Sequence, residues 1–539
     1  MTTLASRALS SAPAFEPSFL EALAPALPLI AEHRIRVAVN AGGVDVRGCA
    51  GAVRKLVAER VGSGGLKVAW VEGDDVLGVV KERLGISGQT SDDFENLCTG
   101  ERLRDWEFSD RIIGAQAYLG GLGIARAFDE GADIVVAGRV ADASPVIGAA
   151  MWWHGWDREQ LDELAFAFVA GHMIECSTYV CGGNFSGFKD MEGLEGGGWT
   201  DIGYPIAEIG RRGEVIITKQ KATGGIVNED TCKAQLLYEI QGPWYFNSDV
   251  TAILDEIAFE QLSANRVALH GVKAGPPPPT TKVGITAHGG FQAEVHWFLV
   301  GLDIKEKARM LEMQIRKALG DTSRFHVLRF TLNGTAAEDP VEQNAATVDF
   351  RVFAQAKEEK DIATNHFLRP IVDLIMCSYP GATFHLDLRQ GMPKPVFEYF
   401  VTLLPQNDVE HVIHLHDERK LVIKPPSLTR TYPRQQPSQD SSIPMKSFGE
   451  TVKGPLGWLV QARSGDKGSN ANVGFWVRHG DEYDWLRTLL SIENVKYLLA
   501  KEYNGKKIVS CRYCAWQLLL IAVGSFRTAE NLGRTLPSS

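Results

Sequence analysis

Residues 131–144, GADIVVAGRVADAS, restrict the fold of this chain more than any other stretch. Ile134-Val135-Val136-Ala137 is a short unbroken apolar run, the pattern of a strand covered on both faces in a parallel sheet. Gly138-Arg139-Val140-Ala141-Asp142 is a polar turn carrying one fixed cation and one carboxylate. Ser144-Pro145 supplies a helix cap and a first helical residue. Open α/β sheets bind their ligands beyond the carboxyl ends of the strands, so Arg139 and Asp142 stand where chemistry is expected.

Two earlier segments follow the same strand-turn-helix order. The run at 35–39 ends in Asn40-Ala41-Gly42-Gly43, and the run at 66–71 ends in Glu72-Gly73-Asp74-Asp75. Helical spacing follows each, so an α/β domain with a mostly parallel sheet is expected. From about 246 to 405 strand-like runs dominate and suggest an α+β layer with antiparallel strands. Together, 18–245 and 246–405 read as one large domain. Residues 424–455, rich in Pro, Ser and Gln, read as a linker, and 456–539 as a small C-terminal module.

Composition removes several functions. The net charge is -10 and no basic block stands out, which argues against a nucleic-acid groove. No apolar run reaches the ~18 residues of a membrane span. Eight scattered cysteines show no disulfide framework, so a reducing, cytoplasmic setting is expected. A small-molecule substrate and a homo-oligomer are the expected partners. NAGGVDVRG lacks the spacing of a dinucleotide fingerprint, so no nicotinamide cofactor is expected.

The candidate residues lie at the strand ends and in two polar loops. Arg139 reads as a clamp for a carboxylate or phosphate and Asp142 as a base, or the two simply pair with each other. Glu72, Asp74 and Asp75 form a carboxylate cluster for substrate, for a general base or for a divalent cation. Alternatively, one of the two aspartates only caps the next helix. Asn40, Gly42 and Gly43 offer backbone N–H groups to a ligand. Asn184 and Lys189 sit in the Gly-rich loop CGGNFSGFK, with Lys189 a candidate carbonyl partner. Arg463, Asp466 and Lys467 belong to ARSGDKGSNAN, the densest polar loop of the chain. His172 and Cys176 share a helix face at half-zinc-site spacing, but no matching ligand pair follows, which favours a buried structural pair.

Taken together, NAGG at 40–43, VEGDD at 71–75, AYLGGLGIARAF at 117–128, GADIVVAGRVADASPVIG at 131–148, AGHMIECSTYVCGGNFSGFKD at 170–190 and ARSGDKGSNANVGF at 462–475 resemble the acyclic terpene utilisation (AtuA-like) family, in its fungal branch. The resemblance covers roughly residues 18–508. It implies a large N-terminal α/β domain, a small ferredoxin-like C-terminal domain and a place in the breakdown of citronellol- and geraniol-type compounds through branched acyl-CoA intermediates. Two departures accompany it. Similar proteins place further strands before the helix at 18–33, so a truncated N-terminus is expected, and the tail from about 509 is atypical. The expected function is C–C lyase or hydrolase chemistry on a branched acyl thioester, possible also within a secondary-metabolite pathway. Asp142 or Asp75 would act as base, with Arg139 and Lys189 stabilising the developing negative charge. The alternative is a non-catalytic binding or scaffold subunit.

Overall fold

The computed structural model describes residues 13–62, 64–85, 94–240, 242–433, 435, 441–450, 452–467, 470–503, 505, 507–513 and 518–523. Side chains are described in these ranges except at 466, 467, 470 and after 510. The chain begins with α1 (Ser18–His33), β1 (Val37–Val39), α2 (Val46–Arg60), β2 (Val68–Glu72), α3 (Leu77–Gly85), β3 (Ile112–Ala117), α4 (Leu122–Asp129), β4 (Ile134–Ala137), α5 (Ser144–His154) and α6 (Leu161–Ile174). It continues with β5 (Pro205–Ile209), β6 (Val215–Lys219), α7 (Glu229–Leu237), β7 (Trp244–Phe246), β8 (Thr251–Ile253), β9 (Ala258–Ser263), β10 (Arg266–His270) and β11 (Lys273–Gly275). Then come β12 (Thr280–Val300), α8 (Ile304–Leu319), β13 (Phe325–Asn333), β14 (Thr347–Ala356), α9 (Leu368–Val372), β15 (Thr383–Phe384), β16 (Lys394–Pro405), β17 (His411–His414) and β18 (Lys420–Ile423).

The first sheet has the order β1-β4-β2-β17-β18. β4 lies between β1 and β2 and runs parallel to both, so three strand-end loops stand side by side. Every side chain of β4 is buried, as its apolar run requires. Leu23, Leu27 and Val53 of α1 and α2 pack over one face, and Val80 and Ile124 of α3 and α4 belong to the core on the other. Asp45 caps α2 by accepting from the Gly48 N–H at 2.8 Å.

The expectation of a mostly parallel sheet needs correction. β17 and β18 are antiparallel, and apart from β1–β4 and β2–β4 so is every other named ladder among the described strands. β3 has the local signature of a parallel strand, apolar and followed by a helix, yet it pairs antiparallel with β12. Local pattern sets the element, and the partner decides the direction. β12 runs for 21 residues and organises the second half of the molecule. Its first part pairs with β3 and β16, its second with β14 and β15, with a bulge between His288 and Gly290. Two smaller antiparallel sheets, β5-β6-β10-β9 and β11-β8-β7, share a core with α6 and α7. Among the described residues no helix is long and apolar enough to cross a membrane.

The C-terminal module comprises β19 (Gln461–Lys467), β20 (Asn470–Trp476), α10 (Gly480–Leu489), α11 (Ile492–Leu499), β21 (Ile508–Tyr513) and β22 (Leu518–Val523). Its sheet order is β19-β20-β22-β21, all antiparallel. Two hairpins therefore flank a helix pair, in place of the β-α-β-β-α-β order of the ferredoxin-like expectation. The module docks on α7 through Asp230, which is 9% exposed. Its carboxylate accepts from Trp476 Nε1 and from Arg478 Nη2, both at 2.8 Å. Asn472 Nδ2 donates to the Leu237 and Ile240 carbonyls at 2.7 and 3.2 Å. Replacing Asp230 with Ala strands the buried Trp476 donor, and a stability loss of about 2–3 kcal/mol is expected. Urea unfolding checks this; a loss near zero would mean that Asp230 does not anchor the module.

Candidate active site at the strand ends

Three hydrogen bonds assemble the site from distant pieces of chain. Beyond β3, Ala117 N donates to the Asp74 carbonyl (2.7 Å) and Tyr118 N to the Lys282 carbonyl (2.8 Å). Ala141 N donates to the Leu119 carbonyl (2.9 Å). The loops that end β2 and β4 are thereby fixed against the edge of the antiparallel sheet. Gly42 N donates to the Ala137 carbonyl at 3.0 Å, which brings the loop after β1 to the same edge.

Asp74 is 5% exposed, and its carboxylate accepts from Arg139 N at 2.6 Å. A Cβ at Gly138 would lie 2.5 Å from that carboxylate, so the glycine makes the approach possible. Burial pushes the Asp74 carboxyl up to about 7, although the Arg139 N–H pulls the other way. Arg139 Nη2 lies 3.2 Å from Asp142 Oδ1, and its guanidinium carbon lies 4.3 Å from the centre of the Tyr118 ring. Lys282 Nζ lies over the same ring at 4.1 Å. The Tyr118 and Tyr399 hydroxyls are 3.0 Å apart.

Strand alternation explains why these groups share one face. Gly284 pairs with Gln116 and Thr286 with Tyr399, so Lys282, Gly284 and Thr286 of β12 stand with Gln116, Tyr118 and Tyr399. Their neighbours Val283, Ile285, Ala115, Ala117 and Phe400 point the other way, into a core. Burial opposes ionisation of Tyr118, but Arg139, Lys282 and the Tyr399 hydrogen bond outweigh it and hold the phenol below its ordinary value. Burial and the charge on Tyr118 push the Tyr399 phenol up, so Tyr399 is the donor when Tyr118 ionises. Gln116 Oε1, Thr286 Oγ1 and Arg139 Nε are buried without a hydrogen-bond partner among the described residues. Most buried polar atoms have a hydrogen-bond partner, so these three have capacity for a water or a ligand.

The other candidates from the sequence divide. Arg139, Asp142 and Asp74 come together, with Gly42 and Gly43 buried beside them and Asn40 exposed at the edge. Asp75 is exposed and caps α3, accepting from Leu77 N at 3.0 Å. Glu72 turns to the next strand, 2.5 Å from His414 Nε2, and His414 stacks on Trp70. The three carboxylates of this loop thus have three separate partners. Among the described residues no group of three His, Cys, Asp or Glu is arranged to hold a metal ion.

Asn184 and Arg463 meet elsewhere. The Asn184 carbonyl accepts from Arg463 Nη1 at 3.1 Å, and the Arg463 guanidinium lies 4.1 and 4.5 Å from the Tyr179 and Tyr238 rings. Lys189 is exposed in the turn Phe188–Met191. The backbones of Asp466 and Lys467 pair with Ala471 and Asn470, and their side chains lie outside the described residues. His172 is buried in the role of a structural histidine: Nε2 meets the Gln235 and Leu236 carbonyls, and Nδ1 meets Tyr245 and Glu175.

Tyr118, Lys282 and Tyr399 were not expected from the sequence. The one local sign was Gly284, a lone glycine inside a strand-like run, which marks a close approach. A Cβ there would lie 1.9 Å from the Tyr399 hydroxyl.

This arrangement defines an α/β protein with a polar cluster where parallel strand ends meet an antiparallel sheet. The chain belongs to the acyclic terpene utilisation family: the model of the acyclic terpene utilisation family protein AtuA matches residues 1–415, well over half of the chain. Residues 456–523, with Arg463, lie outside that match. No curated protein and no solved structure matches the chain.

Two outcomes follow. In the unfolded chain Asp74 titrates near pH ~4. Between there and about 7 the folded chain keeps a proton that the unfolded chain gives up, so this group's contribution to stability falls as pH rises and is fully lost above 7. Asp74→Asn removes the term, so the variant gains on the parent between about pH 5 and about pH 8 in denaturant midpoints; a constant difference would rule out a buried, raised Asp74. Gly284→Ala displaces the Tyr399 hydroxyl, costs about 1–3 kcal/mol, and raises the Tyr118 phenol, with Arg139 and Lys282 still lowering it. Ultraviolet difference titration against the parent reads that change; superimposable curves would show that Tyr399 does not govern Tyr118.

Proposed function

We propose that this chain is an enzyme of branched, isoprenoid-like acyl metabolism, and that it cleaves a carbon–carbon bond in a 3-hydroxyacyl thioester. The carrying observation is the Tyr118 phenol, held below its ordinary value with Arg139 and Lys282 over its ring and Tyr399 at its hydroxyl. Membership of the acyclic terpene utilisation family supports the substrate class. A lowered phenol beside two fixed cations suits a reaction that takes a proton and then builds negative charge nearby.

In this reading the Tyr118 phenolate takes the proton of the substrate's 3-hydroxyl. The C2–C3 bond breaks, C3 leaves as a ketone, and the electron pair moves onto the thioester enolate. Arg139, held by Asp142, stabilises the enolate oxygen, assisted by Lys282. The Tyr118 hydroxyl then returns its proton to C2, which releases a shortened acyl thioester. Atoms and charge balance without a further reactant. Thr286 and Gln116, buried and unsatisfied among the described residues, are positioned to hydrogen-bond the substrate.

Incubation of the full chain with a panel of 3-hydroxy-3-methylacyl-CoA thioesters, followed by mass spectrometry, tests this. A ketone and a shortened acyl-CoA are expected from at least one member. Tyr118→Phe lowers turnover by about 100-fold or more, with unchanged circular dichroism. Unchanged substrates across the panel remove the lyase reading.

A further inference from the structure

A cleft lies on the other side of the 118–121 segment. It spans about 380 Å³, the solvent at its open mouth included. Its floor is polar and buried. The Ser248 and Thr281 hydroxyls both meet the Tyr118 carbonyl, at 2.8 and 2.7 Å. The Asp249 carboxylate, 6% exposed, accepts from Gly121 N at 2.5 Å at the start of α4. A carboxylate has room for more than that one bond. The rim is cationic. Lys424 is exposed there, and Arg158 is held beside it by donating to the Lys424 and Pro425 carbonyls at 3.1 and 3.3 Å. Leu119, Leu122 and Ile423 supply apolar surface to the lining. Asp249 is the one carboxylate among the lining residues, and burial holds the lining His411 down to about 4, hence neutral at pH 7.

This lining excludes most small ligands. A cation meets two like charges at the rim. A plain hydrocarbon leaves the buried Asp249 carboxylate with its one bond from Gly121 N. An anion driven to the floor meets Asp249. We propose that the cleft binds a small hydroxycarboxylate, its carboxylate at Arg158 and Lys424, its hydroxyl donating to Asp249 and its short carbon chain against Leu119, Leu122 and Ile423. The site is separate from the Tyr118 phenol, since only the Tyr118 backbone borders it, and the inference does not rest on the lyase reading.

Isothermal titration calorimetry on the full chain tests it with 3-hydroxybutyrate, butyrate and 1,3-butanediol as probes. One equivalent of 3-hydroxybutyrate binds. Butyrate, which lacks the hydroxyl, binds about tenfold more weakly, and the diol, which lacks the carboxylate, gives no measurable heat. Lys424→Ala weakens 3-hydroxybutyrate by about three- to tenfold; its exposed side chain takes no part in folding. Ile423→Trp crowds the apolar lining and abolishes binding. Tyr118→Phe leaves affinity unchanged, so loss of the lyase reading and loss of this one are read separately. No binding to the parent, equal affinity for butyrate, indifference to both Lys424→Ala and Ile423→Trp, or loss of affinity in Tyr118→Phe would each overturn the proposal.

Discussion

Residues 117–119 are hydrogen-bonded to three distant stretches of chain, and the candidate site exists because of it. Ala117 is tied to Asp74, Tyr118 to Lys282 and Leu119 to Arg139 and Ala141. Backbone groups in such a place must be paired, so the loops after β2 and β4 are both fixed against β12. The parallel sheet ends where the antiparallel one begins, and this short segment is their seam. The glycines that follow permit the closeness: a Cβ on Gly121 would lie 2.4 Å from the Ser144 carbonyl, and one on Gly120 only 2.1 Å from Asp249.

The same physical device recurs at the other polar centre. A buried guanidinium is costly unless its charge is answered. Arg139 is answered by the Tyr118 ring and Asp142, and Arg463 by two tyrosine rings and the Asn184 carbonyl. In the second case the arginine comes from the C-terminal module and the rings from the body. With Asp230 holding Trp476 and Arg478, that contact makes the module a fixed neighbour of the loop at 176–186.

What could be read from sequence depended on how local the cause was. The strand ends at 40–43, 72–75 and 138–142 were legible because each follows an apolar run and precedes a helix, and parallel pairing then sets them side by side. The capping role of Asp75 was legible for the same reason. The partners of Arg139 were not. Lys282 and Tyr399 reach Tyr118 only through pairing across more than 160 residues of chain, and no periodicity carries that information. Nor did a run of short segments announce β12. The strand-like runs expected between 246 and 405 carried no sign that Thr280–Val300 is one strand with a bulge. The two-hairpin order of the C-terminal module escaped for a related reason, since strand count is local and strand order is not.

The bulge in β12 has a consequence beyond its local bend. Val283, Ile285 and Ala287 lie in one core, and Val295, Trp297 and Leu299 in another, all at odd positions. In an unbroken strand they would face the same way. Gly289 is the extra residue against β16, so the alternation changes phase there, and the two cores stand on opposite sides of the sheet. Gly290, at φ +116° with the Ala356 carbonyl 2.4 Å from where a Cβ would be, leaves room for nothing larger. Loss of the one extra residue at this point would return β12 to unbroken alternation and leave each core on its own side, whereas loss of a single residue elsewhere in the strand would turn one half toward the wrong side. Length changes in the regular parts of this strand are therefore constrained to steps of two, and the bulge is the one place where a single residue can be gained or lost.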